Sequence, residues 1–233
     1  MEKLEGKTAV ITGAGGGIGE GIAKAAAAAG MNVVVSDIRL DHAQRVAGEI
    51  GDAAVAVQTD VSDLASVEAL AKAAEAAFGN VHLLCNNAGV WVGALMQNAD
   101  IKDWDWLIKV NYYGVIHGVK TFLPKMLAQG EGHIVNTSSM GGLLAGPPEG
   151  LYCTTKFAIM GLSEGLLMEV AGDGVGGSVL CPGLVDTGLV ENSALRPAEL
   201  NTGLAHDVIA PDVASGLSPL EVGRRVIDAV REN

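Results

Sequence analysis

The sequence predicts an α/β fold: a doubly wound parallel sheet of six or seven strands with helices on both faces. Two observations carry this. Short β-branched runs alternate with long Ala-rich helical stretches, and the strand-like runs are apolar at successive positions, as strands covered on both faces must be. At 49% apolar and 18% charged residues, the 233-residue chain can bury a sizeable core. With three each of Trp, Tyr and Phe, that core is built from Ala, Val, Leu and Ile around closely packed backbones, which also suits the 32 glycines.

In order, Lys7–Thr12 reads as a strand, followed by glycines and a helix over roughly 17–29 that stops at Gly30. Asn32–Ser36 is the second strand, before a helix from about Asp41 to Ile50. Ala53–Gln58 is the third, before a helix from Asp63 to about Phe78 closed by Gly79. Val81–Cys85 is the fourth, and helical patterns run from about 100 to Gly130, with Pro124 as a bend in the last. His133–Ser138 is the fifth strand, a helix follows from about Tyr152 to Ala171, and Gly177–Cys181 is the sixth. Residues 184–217 show no sustained period and read as a long functional loop such as a lid. Ser218, Pro219 and Glu221 then supply an N-cap, a proline at the first helical position and an acid at the third, opening a last helix. No linker or repeat divides the chain, so residues 1–233 read as one domain.

A net charge of −12, from 15 basic against 27 acidic residues, repels phosphates and argues against a nucleic-acid partner. No apolar run reaches the roughly 18 residues of a membrane helix, and Met1–Glu5 has no signal-peptide core. Cys85, Cys153 and Cys181 lack metal or redox spacing and read as buried thiols of a reducing compartment, so a cytoplasmic protein is expected. His42, His82, His117, His133 and His206 form no ligand cluster, and no metal site is expected.

Thr12-Gly13-Ala14-Gly15-Gly16-Gly17-Ile18-Gly19 joins the first strand to the first helix. Glycines there let a backbone approach a pyrophosphate, and a helix N-terminus offers N–H donors and partial positive charge. The spacing is TGxxxGxG rather than GxGxxG, and taken alone it is equally a packing turn. Asp37 lies just past the second strand, 18 residues after Gly19, where an acid accepts hydrogen bonds from ribose hydroxyls and repels a 2′-phosphate. NAD is therefore favoured over NADP, with Arg39 as the counter-argument. Asp60-Val61 and Asn86-Asn87-Ala88-Gly89 follow the third and fourth strands, at the carboxyl ends where open parallel sheets bind ligands; turn chemistry explains each by itself.

With these segments, Asn111, Ser139, Tyr152-x-x-x-Lys156 and Pro182-Gly183 in order, the chain resembles the single-domain branch of the short-chain dehydrogenase/reductase family, from about residue 5 to about 190. The resemblance implies a Rossmann-type fold and hydride transfer between NAD(H) and an alcohol or ketone. It makes Tyr152 the catalytic acid/base, Lys156 its activator, Ser139 the substrate-orienting hydroxyl, and Asn111 the fourth member, holding a helix open for a water that links Lys156 to solvent. It assigns cofactor binding to Gly13, Gly17, Ile18, Gly19, Asp37, Asp60, Val61, Asn87, Ala88, Gly89, Tyr152, Lys156, Pro182, Gly183, Val185 and Thr187. The residue types agree. Tyr152 and Lys156 are i and i+4, on one face of a helix, and an ammonium beside a phenol, with a positive nicotinamide, lowers the phenol from its usual value near 10. Ser138 competes with Ser139; the family's separation of 13 residues from the tyrosine selects Ser139. Cys153, with no His at a fixed spacing, reads as packing. Trp91 is expected to border the cofactor pocket, and Trp104 and Trp106 to serve packing or an interface.

Substrate choice is expected in Leu143–Gly150, Trp91–Met96 and the 184–217 loop. Their Leu143, Leu144, Leu184, Leu189, Val190, Leu195 and Met96, with few charges, point to a lipophilic secondary alcohol or ketone. Residues 190–197 resemble family members acting on bulky aryl alcohols from lignin-type aryl ethers, so an aryl alcohol is the narrower expectation. The alternatives are an NADPH-dependent carbonyl reductase and a non-catalytic nucleotide sensor. Family members add a seventh strand after the last helix, where this chain ends in a helical pattern. Within the family the long helices, here about 112–129 and 152–171, pack against their mates; Gly114, Gly118, Ala158 and Gly161 are small enough for close approach, so a homodimer or homotetramer is expected.

Overall fold

The computed structural model describes residues 1–189 and 215–232. Strands β1 (Thr8–Thr12), β2 (Asn32–Asp37), β3 (Ala54–Gln58), β4 (Val81–Asn86), β5 (Gly132–Thr137) and β6 (Val175–Leu180) form one sheet in the order β3-β2-β1-β4-β5-β6. Every pairing is parallel. The helices are α1 (Gly17–Ala28), α2 (Leu40–Ile50), α3 (Leu64–Phe78), α4 (Ile101–Leu107), α5 (Gly114–Gln129), α6 (Gly150–Glu169) and α7 (Pro219–Glu232). The expected doubly wound, Rossmann-type sheet is present, with six strands among the described residues.

Successive residues of a strand point to opposite faces, and both faces here are dry. Ala9, Ile11, Val33 and Val35 pack with Ile22 and Ala26 of α1, Val46 of α2, and Val226, Ile227 and Val230 of α7. Val10 and Val34 pack on the other face with Leu70 and Ala74 of α3, Phe122 and Met126 of α5, and Leu166 of α6. Each large side chain sealed in this way contributes about 1.5–3 kcal/mol. Helices α1 and α7 touch backbone to backbone: a Cβ on Gly21 would fall 2.0 Å from the Pro219 carbonyl oxygen, and one on Gly223 2.1 Å from that of Gly21.

Three local expectations change. The sixth strand begins at Val175, two residues before the expected start at Gly177, because Gly176 is also a strand residue. A Cβ on Gly176 would lie 2.6 Å from His133 Nδ1, and one on Gly177 2.9 Å from Leu167, so close packing removed the side chains that mark a strand. The helical stretch from about 100 divides into α4, a π-helical turn over Ile108–Tyr113, and α5, which contains Pro124 without ending there. Gly114 and Gly118 do not present a face to a mate: their Cβ positions fall 2.9 Å from Val61 and 2.0 Å from Asn86 Oδ1, inside the same chain.

The two ends of the expected long loop meet. Val185 and Leu217 form a parallel bridge, Asp186 N–H donates to the Leu217 carbonyl at 3.0 Å, and Leu217 N–H to that of Leu184 at 3.1 Å. Residues 190–214, with the aryl-alcohol resemblance they carry, lie outside the described residues. Among the described residues no helix is long and apolar enough to cross a membrane.

Candidate active site

The strand order reverses between β1 and β4, and the carboxyl ends of the strands open there into a cleft of about 680 Å³. Thr12, at the end of β1, ties the two strands together. Its hydroxyl accepts from the N–H groups of Asn87 and Ala88 at 3.0 and 3.1 Å, and Asn87 Nδ2 donates to its carbonyl at 3.0 Å. Gly13 follows with φ +64°, and a Cβ there would fall 2.7 Å from Ala88 Cα, so only glycine fits. At the start of α1 the N-cap is Gly16, with no side-chain capping bond. The first-turn N–H groups and the positive end of the helix thus face the cleft. A Cβ on Gly16 would meet nothing within 4 Å and would occupy cleft space.

Asp37 closes one end. Its Oδ2 accepts from Gly15 N–H at 2.9 Å and its Oδ1 from Arg39 N–H at 3.0 Å, so the carboxylate is held facing the glycine turn. At the other end, Ser139 follows β5, and its Oγ accepts from Gly141 N–H at 3.0 Å. Ser139 Oγ and the Tyr152 ring of α6 both lie against Gly141, 3.5 and 3.3 Å from where its Cβ would stand. Lys156, one turn further along, donates from Nζ to the Thr137 carbonyl at 3.0 Å and lies 5.4 Å from the Tyr152 ring centroid.

The electrostatics differ from the expectation of a lysine-acidified phenol. Burial pushes the Tyr152 phenol up to about 12, against a downward pull from the Ser139 hydroxyl, and the charges of Glu149 and Cys153 add to the rise. Burial likewise pushes Lys156 down to about 8. Desolvation dominates at both groups, so these side chains alone keep the phenol protonated.

 Fifteen of the sixteen cofactor positions named above line the cleft together with Ser139, Gly19 being the exception, and the catalytic candidate Asn111 also lies off the cleft wall. Gly19 packs behind the turn, where a Cβ would fall 2.2 Å from the Gly13 carbonyl oxygen. Asn111 is fully buried in the π-helical turn. Its Oδ1 accepts from Val90 N–H at 2.8 Å, and its Nδ2 donates to the Val90 carbonyl at 2.9 Å and to Thr155 Oγ1 at 3.2 Å. It stands behind Gly89, whose Cβ position would be 3.4 Å from Asn111 Oδ1 and 3.6 Å from Lys156 Nζ. Ser138, the competing serine, donates from Oγ to the Lys156 carbonyl at 2.9 Å and so braces α6.

The residues present fit a dinucleotide. An uncapped helix end, a turn that only glycines can make, and an acid beside that turn lie along one cleft with the Ser139–Tyr152–Lys156 group at its far end. The sequence profile of the short chain dehydrogenases matches residues 7–197. The chain belongs to this family. As a short-chain dehydrogenase it is an oxidoreductase, and its relatives carry that description. It is 40% identical over 230 residues to the oxidoreductase UcpA of Escherichia coli strain K12, covering 96% of this chain and 87% of that protein. It is 37% identical over 207 residues to the C alpha-dehydrogenase of Sphingobium sp. strain SYK-6, covering 87% of this chain and 68% of that protein. A short chain dehydrogenase/reductase from Burkholderia phymatum, solved in complex with NAD, superposes with a TM-score of 0.93 at 41% identity, covering 100% of this chain and 88% of that one.

Several wall residues of this short-chain dehydrogenase carry no sequence signal. Ile38, His42 and Arg45 border the Asp37 end, and Trp106 and Val110 come from the helical stretch before α5. Trp106 packs against the cluster of Val90, Leu107 and Leu151, in line with its expected packing role, and also borders the cleft, to which only tertiary structure brings it. Of the expected substrate residues, Trp91, Glu149, Leu184 and Leu189 line the cleft, whereas Leu143, Leu144 and Met96 are exposed away from it.

Proposed function

We propose that this short-chain dehydrogenase transfers hydride between NAD(H) and a lipophilic secondary alcohol or ketone. The observation that carries the reading is the placement of Ser139 and Tyr152 side by side against Gly141, with buried Lys156, at one end of a cleft whose other end holds Asp37. A bound nicotinamide supplies the hydride acceptor in one direction and the donor in the other. Gly13, Gly17 and the N-terminus of α1 would hold the pyrophosphate, and Asp37 the adenosine ribose.

Tyr152 moves the proton. Protonated at neutral pH, its hydroxyl gives a proton to a carbonyl oxygen; in the reverse direction it takes the proton of the alcohol. Ser139 donates to the same oxygen and holds it beside the phenol. Lys156 places a positive charge under the site and secures the end of β5 through Thr137. Asn111 positions this machinery by fixing Val90 and Thr155 from behind. Trp91, Met140, Leu184 and Leu189 give the reacting end an apolar wall, which supports a lipophilic substrate.

A second reading, an NADPH-dependent carbonyl reductase, draws support from Arg39 on the cleft wall next to Asp37. A homodimer or homotetramer belongs to the proposal, supported by the exposed Phe157 and Met168 on α6, as does a cytoplasmic location, supported by the free thiols of Cys85, Cys153 and Cys181. The deciding experiment is a screen of lipophilic secondary alcohols with NAD⁺ and NADP⁺, followed at the absorbance of the reduced nicotinamide, beside the Tyr152→Phe variant. Turnover by the native protein and none by the variant supports the reading. Cofactor binding without turnover of any alcohol or ketone would make the protein a nucleotide sensor.

A further inference from the structure

We propose that Arg45, which lies outside every cofactor motif, is a positioning residue for dinucleotide binding: it holds the glycine-rich turn ahead of α1 through the Gly15 carbonyl. The inference rests on the dinucleotide reading above and adds a residue to it.

Arg45 sits on α2, and its Nη2 donates to the Gly15 carbonyl at 3.1 Å and to Glu20 Oε2 at 2.6 Å. Its Nη1 donates to Glu49 Oε1 at 2.7 Å. Lys24 pairs with the same two glutamates, at 2.6 and 2.7 Å. Four charged side chains thus cross-link α1 to α2, and one arm of the lattice reaches the turn. On its other side Gly15 donates its N–H to Asp37, so this residue is gripped from both directions.

The grip matters because Gly15, Gly16 and Gly17 are consecutive. Three glycines have the greatest backbone freedom to lose on ordering, and Gly16 has no neighbour that a side chain would touch. The turn has to be fixed from outside, and Asp37 and Arg45 do so. A guanidinium suits the task, since its planar fork reaches two carboxylates and a carbonyl together, which an ammonium on a flexible stem does not. The same lattice neutralises Glu20, an acid in the first turn of the helix whose N-terminus would receive the pyrophosphate. Exposed ion pairs alone contribute little; the link to Gly15 is what connects this one to the site.

The test is calorimetric titration of NADH into the native protein, Arg45→Ala and Arg45→Lys, with kcat and the melting temperature measured beside it. Arg45→Ala is expected to weaken binding about tenfold, as for one lost charge-assisted hydrogen bond, with kcat at saturation and melting temperature little changed. Arg45→Lys is expected to recover only part of the loss. Native-like binding by Arg45→Ala overturns the proposal, and so does full recovery by Arg45→Lys, which would assign the effect to charge alone. Should Arg45→Ala fail to fold, the Glu20→Gln/Glu49→Gln pair keeps the guanidinium but frees it. Weakened binding then supports the proposal and unchanged binding overturns it. A native protein that binds no NADH refutes the dinucleotide reading itself.

Discussion

Lys156 lies 5.4 Å from the ring centroid of Tyr152, yet its ammonium hydrogen-bonds the backbone of Thr137 and not the phenol. The two groups are buried together, and burial moves them in opposite directions, the phenol up to about 12 and the ammonium down to about 8. Each moves toward its neutral form, as desolvation requires.

A pH dependence follows for the two directions of the reaction. Reduction uses the protonated phenol, so its kcat should stay level across neutral pH. Oxidation uses the ionised phenol, so its kcat should climb through the alkaline range. Profiles of both directions between pH 6 and about 10 check this; an oxidation rate that falls with rising pH would remove Tyr152 as the base.

The two adjacent serines should separate cleanly. Ser139→Ala removes the hydroxyl that meets the phenol, and kcat should fall by about 10²-fold with the melting temperature nearly unchanged. Ser138→Ala leaves the Lys156 carbonyl without its 2.9 Å donor. It should cost about 1–3 kcal/mol of stability and affect kcat less. Urea unfolding and steady-state kinetics on both variants distinguish these roles.

Asp37→Ser removes the carboxylate that would repel a 2′-phosphate and also releases the N–H groups of Gly15 and Arg39. The ratio of kcat/KM for NADP⁺ over NAD⁺ should rise by about tenfold or more. An unchanged ratio would show that Asp37 does not set the preference.

His133 is fully buried on β5, with Nε2 against Ser178 Oγ at 2.9 Å, and burial pushes its ring down to about 4. The unfolded chain binds this proton near pH 6.5 and the folded chain only near 4. Stability present above 6.5 is therefore lost as pH falls toward 4, by up to about 3 kcal/mol. Urea midpoints of the native protein should drop more steeply over this window than those of His133→Gln; parallel curves would contradict the assignment.

Much of this was legible in the residues. Parallel strands are apolar at successive positions, so Val33–Val35 announced both a strand and its burial on two faces. The spacing of Tyr152 and Lys156 placed them on one helical face without coordinates. The start of the sixth strand at Val175 is not legible, because Gly176 presents no side chain to read. The break at Asn111 was beyond reach of periodicity, because a π-helical turn depends on what the inserted side chain bonds, here Val90 and Thr155.

By itself the sequence determined the order of strands and helices and the chemistry available at each strand end, because periodicity and residue type are local properties. Only the tertiary structure decided which side chains share a wall, such as Trp106 and Arg45, and how far burial moves Tyr152 and Lys156. Those are matters of distance and solvent exclusion between segments far apart in the chain, and no local pattern encodes them.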